Sequence, residues 1–407
     1  MIALLALAAL AADPVEQDES LSGFDRSGRG EVEIPFVGPA APPGVLEKET
    51  ASGESAKRGA AQRAMDPAFV AGIQDGLQKL YRREYAESKA HFVRLEGSYP
   101  NTGVAAVVDV LIWQARMLEN FDFQYAAQYE AASKVARVSL DNALKTQGNE
   151  AWEHFLYAGV VGIEAIHTVR TGSYLPALQL AFEAMDHVAT TRELAPDFTD
   201  LLLADGMYNY WRTVLTKSSR FLPDFGDKRA EGLTQMAEVE SRGIFLGAAG
   251  TLSLTFSYIE EGKYDLALGR CQHNRSRYPD NVINNLLTGT TYIYLRKYPD
   301  ALRIFDEVRV EDPENRRVRY WRGIALLRGG SIDDSEREFK AYLGSPYLEK
   351  WQQSSTWWRL GQLYQRAQRY VEADAAYAQA VDVDGHDPSK AALHALRDQR
   401  RRGTITY

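Results

Sequence analysis

Glu164 and His167 make a single E-x-x-H step in this chain of 407 residues. A spacing of three places a carboxylate and an imidazole on one face of a helix. That is half of a carboxylate-bridged di-metal site, which needs a second such step and two further Glu from other helices. No second step is present. Trp152, Glu153 and His154 share the helix of Glu164 and His167, and His187 lies on its hairpin partner. An enzyme, or a protein binding a small ligand or a metal, with its pocket in the helices of residues 151–211 is therefore the alternative these residues offer. The plainer reading is histidines packed within a helical hairpin. Asp382, Asp384, Gly385 and Asp387 resemble a calcium loop. Their glycine comes too early, and Leu393 stands where the closing Glu of an EF-hand belongs. They read as a polar turn with an Asp at a helix cap. H-E-x-x-H, G-x-S-x-G and Gly-rich phosphate-loop patterns are missing. The expectation is a non-catalytic protein with no cofactor and no metal.

The elements that position these residues are helices that repeat. Tyr264-Asp265-Leu266-Ala267 recurs as Tyr298-Pro299-Asp300-Ala301, a step of 34 residues. Pro279 recurs as Pro313, Gly289 as Gly323 and Phe305 as Phe339 at the same step. Ile332 and Ser335 stand for the Tyr and Ala of a weaker unit. An insertion around 345–353 shifts the frame by four residues. The clearest unit then follows, WWRLGQLYQRAQRYVEADAAYAQA over Trp357–Ala380. Gly361 and Ala373 mark a close approach of two helices there, with Trp357, Tyr364 and Tyr377 beside them. Gly76, Tyr85, Phe92 and Pro100 keep the same internal spacings, with Ser88 where Ala is usual.

A period of 34 with W…L-G…Y…A…F…P chemistry resembles the tetratricopeptide repeat family. The resemblance implies an all-α, right-handed α-solenoid of helical hairpins with a C-terminal capping helix. It divides the chain into a signal peptide (1–12), a Gly/Pro-rich linker (13–65), a divergent helical region (66–246), four repeats (247–387) and a capping helix with tail (388–407). The arrangement of 222–233 ahead of the repeats also resembles exported bacterial repeat proteins of unassigned role. The family further implies a concave groove lined by the first helix of each hairpin. Its spacing selects Phe256 and Ile259, then Ile283, Leu286, Thr290 and Tyr294. It next selects Arg317, Tyr320, Ile324 and Arg328, and finally Trp358, Gln362 and Arg366. Phe256 and Leu286 stand where the carboxylate clamp of chaperone-tail-binding relatives needs polar donors. The groove reads instead as aromatic and aliphatic with Arg at one half, suited to a protein segment with apolar anchors and some acidic character. The competing reading packs these residues against neighbouring helices or against Glu31–Val37.

Composition fixes the remaining limits. The chain is 45% hydrophobic and carries a net charge of −8. That disfavours a nucleic-acid partner, which calls for a basic footprint. Ile2–Ala12 is apolar and ends in Ala9-Leu10-Ala11, which resembles a secretory signal, although no Lys or Arg precedes it. The run is too short to span a bilayer. With Cys271 as the single cysteine no intramolecular disulfide forms, which suits a bacterial periplasmic or secreted protein with a place in an envelope complex. Cys271 occupies the register of Phe305, Phe339 and Tyr377 and reads as a small core residue. Helices are expected over 102–119, 121–145, 151–170, 174–194, 198–215 and 228–241, with Asp227 as a cap. A last helix over 389–402 carries Arg397, Arg400, Arg401 and Arg402 at its end.

Overall fold

The computed structural model describes residues 66–146, 150–171, 173–218 and 226–406. The expected signal run, the linker and the Glu31–Val37 segment lie outside the described residues. Every element described is helical, and the described residues fall into two units. One takes 66–115 and 125–281; the other takes 116–124 and 282–406.

The first unit opens with α1 (Pro67–Tyr81) and α2 (Tyr85–Ser98). Pro67 fills the first helical position, and the Asp66 carboxylate accepts from the amides of Ala68 (2.8 Å) and Phe69 (3.1 Å). This satisfies amides that a helix start leaves without partners. Then follow α3 (Val104–Asn120), α4 (Ala126–Thr146), α5 (Glu150–Arg170) and α6 (Tyr174–Leu194). A 3-10 turn (Thr199–Leu201) leads into α7 (Leu202–Ser218), α8 (Arg229–Arg242), α9 (Gly247–Glu260) and α10 (Tyr264–Arg277). The core joins Phe69, Phe92, Trp152, Phe198 and Phe245. Trp152 meets Phe69 and Phe245 edge-on at 5.3 and 5.4 Å. Asp200, buried in the 3-10 turn, accepts from the amides of Ile244 (2.7 Å), Phe245 (2.8 Å) and Leu246 (2.6 Å). It thereby ties this turn to the α8–α9 connection. Gly206 and Gly232 let α7 and α8 touch backbone to backbone: a methyl group at Gly232 would lie 2.6 Å from the Gly206 carbonyl.

The second unit holds α11 (Val282–Tyr294), α12 (Tyr298–Glu311), α13 (Arg317–Gly329), α14 (Ile332–Leu343), α15 (Lys350–Arg366), α16 (Tyr370–Asp384) and α17 (Asp387–Arg401). Consecutive helices pair as hairpins, and the first helices α11, α13 and α15 also meet in succession. The repeat register explains both contacts. A methyl group at Gly323 would come within 2.6 Å of the Phe339 ring, and Gly289 meets Phe305, and Gly361 Tyr377, in the same way. In the first unit Gly76 stands against Phe92 at the same register. At that register α9 and α10 carry Thr255 and Cys271, both buried. Where the ring shrinks to a thiol, the glycine grows to a threonine. Ser88 and Ser335, in place of Ala, donate to the carbonyls of Gly76 (2.8 Å) and Gly323 (2.7 Å). The turns of these five repeat hairpins each contain a left-handed residue: Arg83, Gly262, Arg296, Gly330 and Gln368.

Several expected boundaries are corrected. The helix expected from Phe121 begins at Ala126, because Phe121 adopts φ 57 and opens an irregular segment. Helix α7 runs on to Ser218, past the expected end at 215. Asp227 stands one residue outside the cap position of α8, accepting from the Arg229 amide at 3.1 Å. The last helix starts at Asp387, and His386 caps it in place of an Asp by accepting from the Ser389 amide at 3.3 Å.

Gly361→Leu is expected to lower stability by about 2 kcal/mol or more, since its side chain must displace the Tyr377 ring. Urea denaturation checks this, and an unchanged midpoint would show that the hairpin tolerates a wider spacing.

Candidate partner-binding surface

The row α11, α13, α15 carries most of the residues selected for a partner. Phe256 is half-buried and Ile259 buried on α9, in the other unit. Along the row, Tyr294, Arg317, Tyr320 and Trp358 are all 9% exposed or less. Arg328 is half-buried and Arg366 is exposed. Every residue of α11 except Ile283 is buried. The row is therefore packed over much of its length, and it is open at the end where α13 and α15 finish. There Arg366 Nη1 donates to the Leu327 carbonyl at 3.3 Å, which brings Arg366 beside the turn of Arg328.

Arg317 shows why the enclosed residues are enclosed. Its guanidinium lies 5.1 to 5.6 Å from the ring centres of Tyr320, Phe121, Trp321 and Trp351. A cation over aromatic faces in a desolvated setting is well stabilised and is held away from solvent. Tyr320 in turn packs on Phe339 and Tyr342. Trp358 lies under Arg359, 4.2 Å from ring centre to guanidinium, with His386 beside it.

Phe121 enters this cage from far away in sequence. Residues 119–124 clasp the inter-hairpin turns of the second unit. Asn315 Nδ2 donates to the Glu119 carbonyl at 3.0 Å, and the Arg316 amide donates to Asn120 Oδ1 at 2.7 Å. The Arg316 side chain pairs with buried Asp122 and reaches Gln124 Oε1 at 2.6 Å. Gln352 Nε2 donates to the Phe121 carbonyl at 3.0 Å. Sequence reading missed this clasp, because 119–124 shows no periodicity and its partners lie some two hundred residues on.

The remaining charges near the row are largely paired. Glu336 accepts from Lys340 at 2.6 Å, Arg369 at 2.7 Å and the Tyr364 hydroxyl at 2.9 Å. Burial by itself would raise its pKa, but these three donors bring it down to about 2. Arg322 bridges Asp306 and Glu338.

The residues of the 151–211 alternative are only partly brought together. His154 and His187 meet, Nδ1 to Nδ1, at 2.6 Å. Glu164 turns to Ser133 and Arg137, and Arg137 also holds Glu183 at 2.7 Å. His167 packs against Tyr129 with ring centres 4.6 Å apart and a tilt of 39°. Burial holds its pKa below the usual imidazole value, reinforced by Arg170. Trp152 belongs to the core. Among the described residues no three His, Cys, Asp or Glu side chains gather as a metal site, and no helix is long and apolar enough to cross a membrane. At the loop that resembled a calcium site, Gly385 is the left-handed cap of α16. Asp384 accepts from the Ser354 hydroxyl at 2.7 Å, and Asp387 pairs with Lys390 at 2.9 Å.

Comparison with known proteins agrees with the repeat register. Residues 286–349, from α11 through the α13–α14 hairpin, match the family model described as tetratricopeptide repeat. The chain thus carries tetratricopeptide repeats. Among curated proteins it is similar to ER membrane protein complex subunit 2-A of Xenopus laevis, 27% identical over 127 residues. That match covers 31% of this chain and 41% of the relative. Subunit 2 of the same complex in Xenopus tropicalis matches with the same figures. The chain thus spans less than half the length of these relatives. Among solved structures, the human IFIT1 dimer with PPP-AAAA overlays with a TM-score of 0.41 at 13% identity, over 72% of this chain and 87% of that one. The P58(IPK) TPR domain overlays at 0.27 and 12% identity, over 83% and 99%.

Replacing Asp122 by Ala is expected to cost about 3 kcal/mol, because it leaves the Arg316 guanidinium half-buried without its carboxylate. In a double-mutant cycle with Arg316→Ala by urea denaturation, the double variant should lose less than the sum of the two singles. Strict additivity would show that the two side chains do not act as a pair.

Proposed function

We propose that this protein is an exported bacterial scaffold, periplasmic or secreted, that holds a segment of another protein on its repeat array and catalyses no reaction. Tetratricopeptide repeats stack hairpins into extended surfaces used for protein–protein interaction. The observation that carries the reading is the open end of the α11, α13, α15 row. There Arg366 bonds the Leu327 carbonyl beside Arg328, so two guanidinium groups share that end. A segment with an acidic residue and an apolar anchor suits that end, the guanidinium groups orienting the carboxylate. The curated relatives are, by name, subunits of a membrane protein complex, which supports a lasting place in an assembly. Export rests on the apolar run Ile2–Ala12 with Ala9-Leu10-Ala11, and on the single cysteine.

The test is a pull-down from envelope extract with the chain from Asp13 onward, beside the double variant Arg328→Glu/Arg366→Glu. Loss of a partner in the double variant, with its melting temperature unchanged, is the expected result. Equal capture by both chains would overturn the assignment of this end. The mass of the chain recovered from a periplasmic fraction should match removal of the apolar run. Intact chain confined to the cytosol would overturn export.

A further inference from the structure

His154 on α5 and His187 on α6 face each other across the hairpin, Nδ1 to Nδ1 at 2.6 Å. A contact of that length between two imidazole nitrogens is a hydrogen bond, and it needs one N–H and one lone pair. The pair therefore satisfies itself with a single Nδ1 proton. One further proton, placed on a distal nitrogen, leaves the bond in place and adds charge to it. Two Nδ1 protons leave no acceptor and set two cations in contact.

We infer that the His154–His187 contact is a proton-sensitive latch across the α5–α6 hairpin, closed while the rings share one Nδ1 proton and opened when each carries its own. The surroundings keep the rings from turning apart without cost. Tyr157 stacks on His187 with ring centres 4.2 Å apart and 14° between planes, and its hydroxyl donates to Asp141 at 3.1 Å. Among the described side chains, titratable and charged groups near the pair come from all three helices. Arg137 and Asp141 stand on α4, Glu183 and Asp186 on α6, and the Tyr157 phenol on α5. Glu183 is held by Arg137 at 2.7 Å, which blunts its pull on an imidazolium, and Asp186 is exposed. Burial, then the His154 ring, keep His187 below its usual pKa. The pair titrates as a unit, so its second proton enters at lower pH than an isolated imidazole would take it.

The latch has leverage on the core. Trp152 lies two residues before His154, and Val188 follows His187; both belong to the cluster that holds Phe69 and Phe245. Separation at the histidines therefore loosens the aromatic centre of the first unit.

The test uses the full chain and follows hydrogen exchange of α5 and α6 from pH 8 to pH 5, corrected for intrinsic exchange. Protection should fall by about tenfold per pH unit once the second proton binds. In His154→Gln and His187→Gln, an amide that donates and accepts at every pH stands in the contact, and the fall should vanish. His167→Gln, on the same helix but outside the pair, should keep it. An identical fall in the two latch variants, or no fall in the unaltered chain, overturns the inference. Independently of how the variants fold, imidazole resonances of the unaltered chain give a second reading. Two separated titration steps support the latch, whereas both rings titrating together at the ordinary imidazole value overturn it.

Discussion

The spacing of helices in four of the repeat hairpins depends on one contact, a glycine on the first helix pressed against a ring on the second. At Gly76, Gly289, Gly323 and Gly361 any side chain would enter the ring of Phe92, Phe305, Phe339 or Tyr377. Close-packed interiors tolerate neither a void nor an overlap, so the two positions vary together. Thr255 with Cys271 keeps the sum while exchanging the parts. Ser88 and Ser335 add a hydroxyl beside the same glycines and satisfy it on the glycine carbonyl, so their burial leaves no orphaned polar group. Once this spacing is fixed, the turn that joins the helices is fixed too. It demands a left-handed residue, and Arg83, Arg296 and Gln368 adopt that conformation although glycine would do so more easily.

A second constraint acts through charge. Much of the Arg content of the second unit is spent inside it: Arg317 in a cage of rings, Arg316 on Asp122, Arg322 on Asp306 and Glu338, Arg369 on Glu336. Net charge therefore describes solubility far better than it describes the surface a partner meets. The same holds in the first unit, where Arg270 and Glu240 pair at 3.3 Å, both almost fully buried, beneath the Tyr258 ring. Breaking such a pair leaves a charge stranded, so these residues tie register to stability more than they offer binding capacity.

Repeat hairpins were legible because their determinants are local: Gly, ring, Ala and Pro at fixed offsets, reinforced by copies of themselves. Asp66-Pro67 starts a helix through equally local chemistry, a capping carboxylate next to a Pro at the first helical position. Phe121 does not start one, since its positive φ is held by Gln352 at its carbonyl and by Arg317 and Trp351 against its ring. The lining spacing projected Tyr294, Arg317, Tyr320 and Trp358 toward a partner, because spacing reports which way a side chain leaves its helix and nothing of what it meets there. Near the ends of their helices Arg366 is exposed and Arg328 half-buried.

The sequence by itself determined a helical fold for the described residues, the repeat unit, the hairpin spacing and the small residue at Cys271 where other repeats carry a ring. These follow from contacts within about thirty residues, whose geometry the helical period dictates. Only tertiary structure decided that residues 119–124 clasp turns near 315 and 352, that Asp200 gathers three amides from the α8–α9 connection, and that His154 meets His187 while Glu164 and His167 go to other partners. Each of these joins groups with no common period. Their meeting is set by how whole helices pack, and no spacing along the chain encodes it.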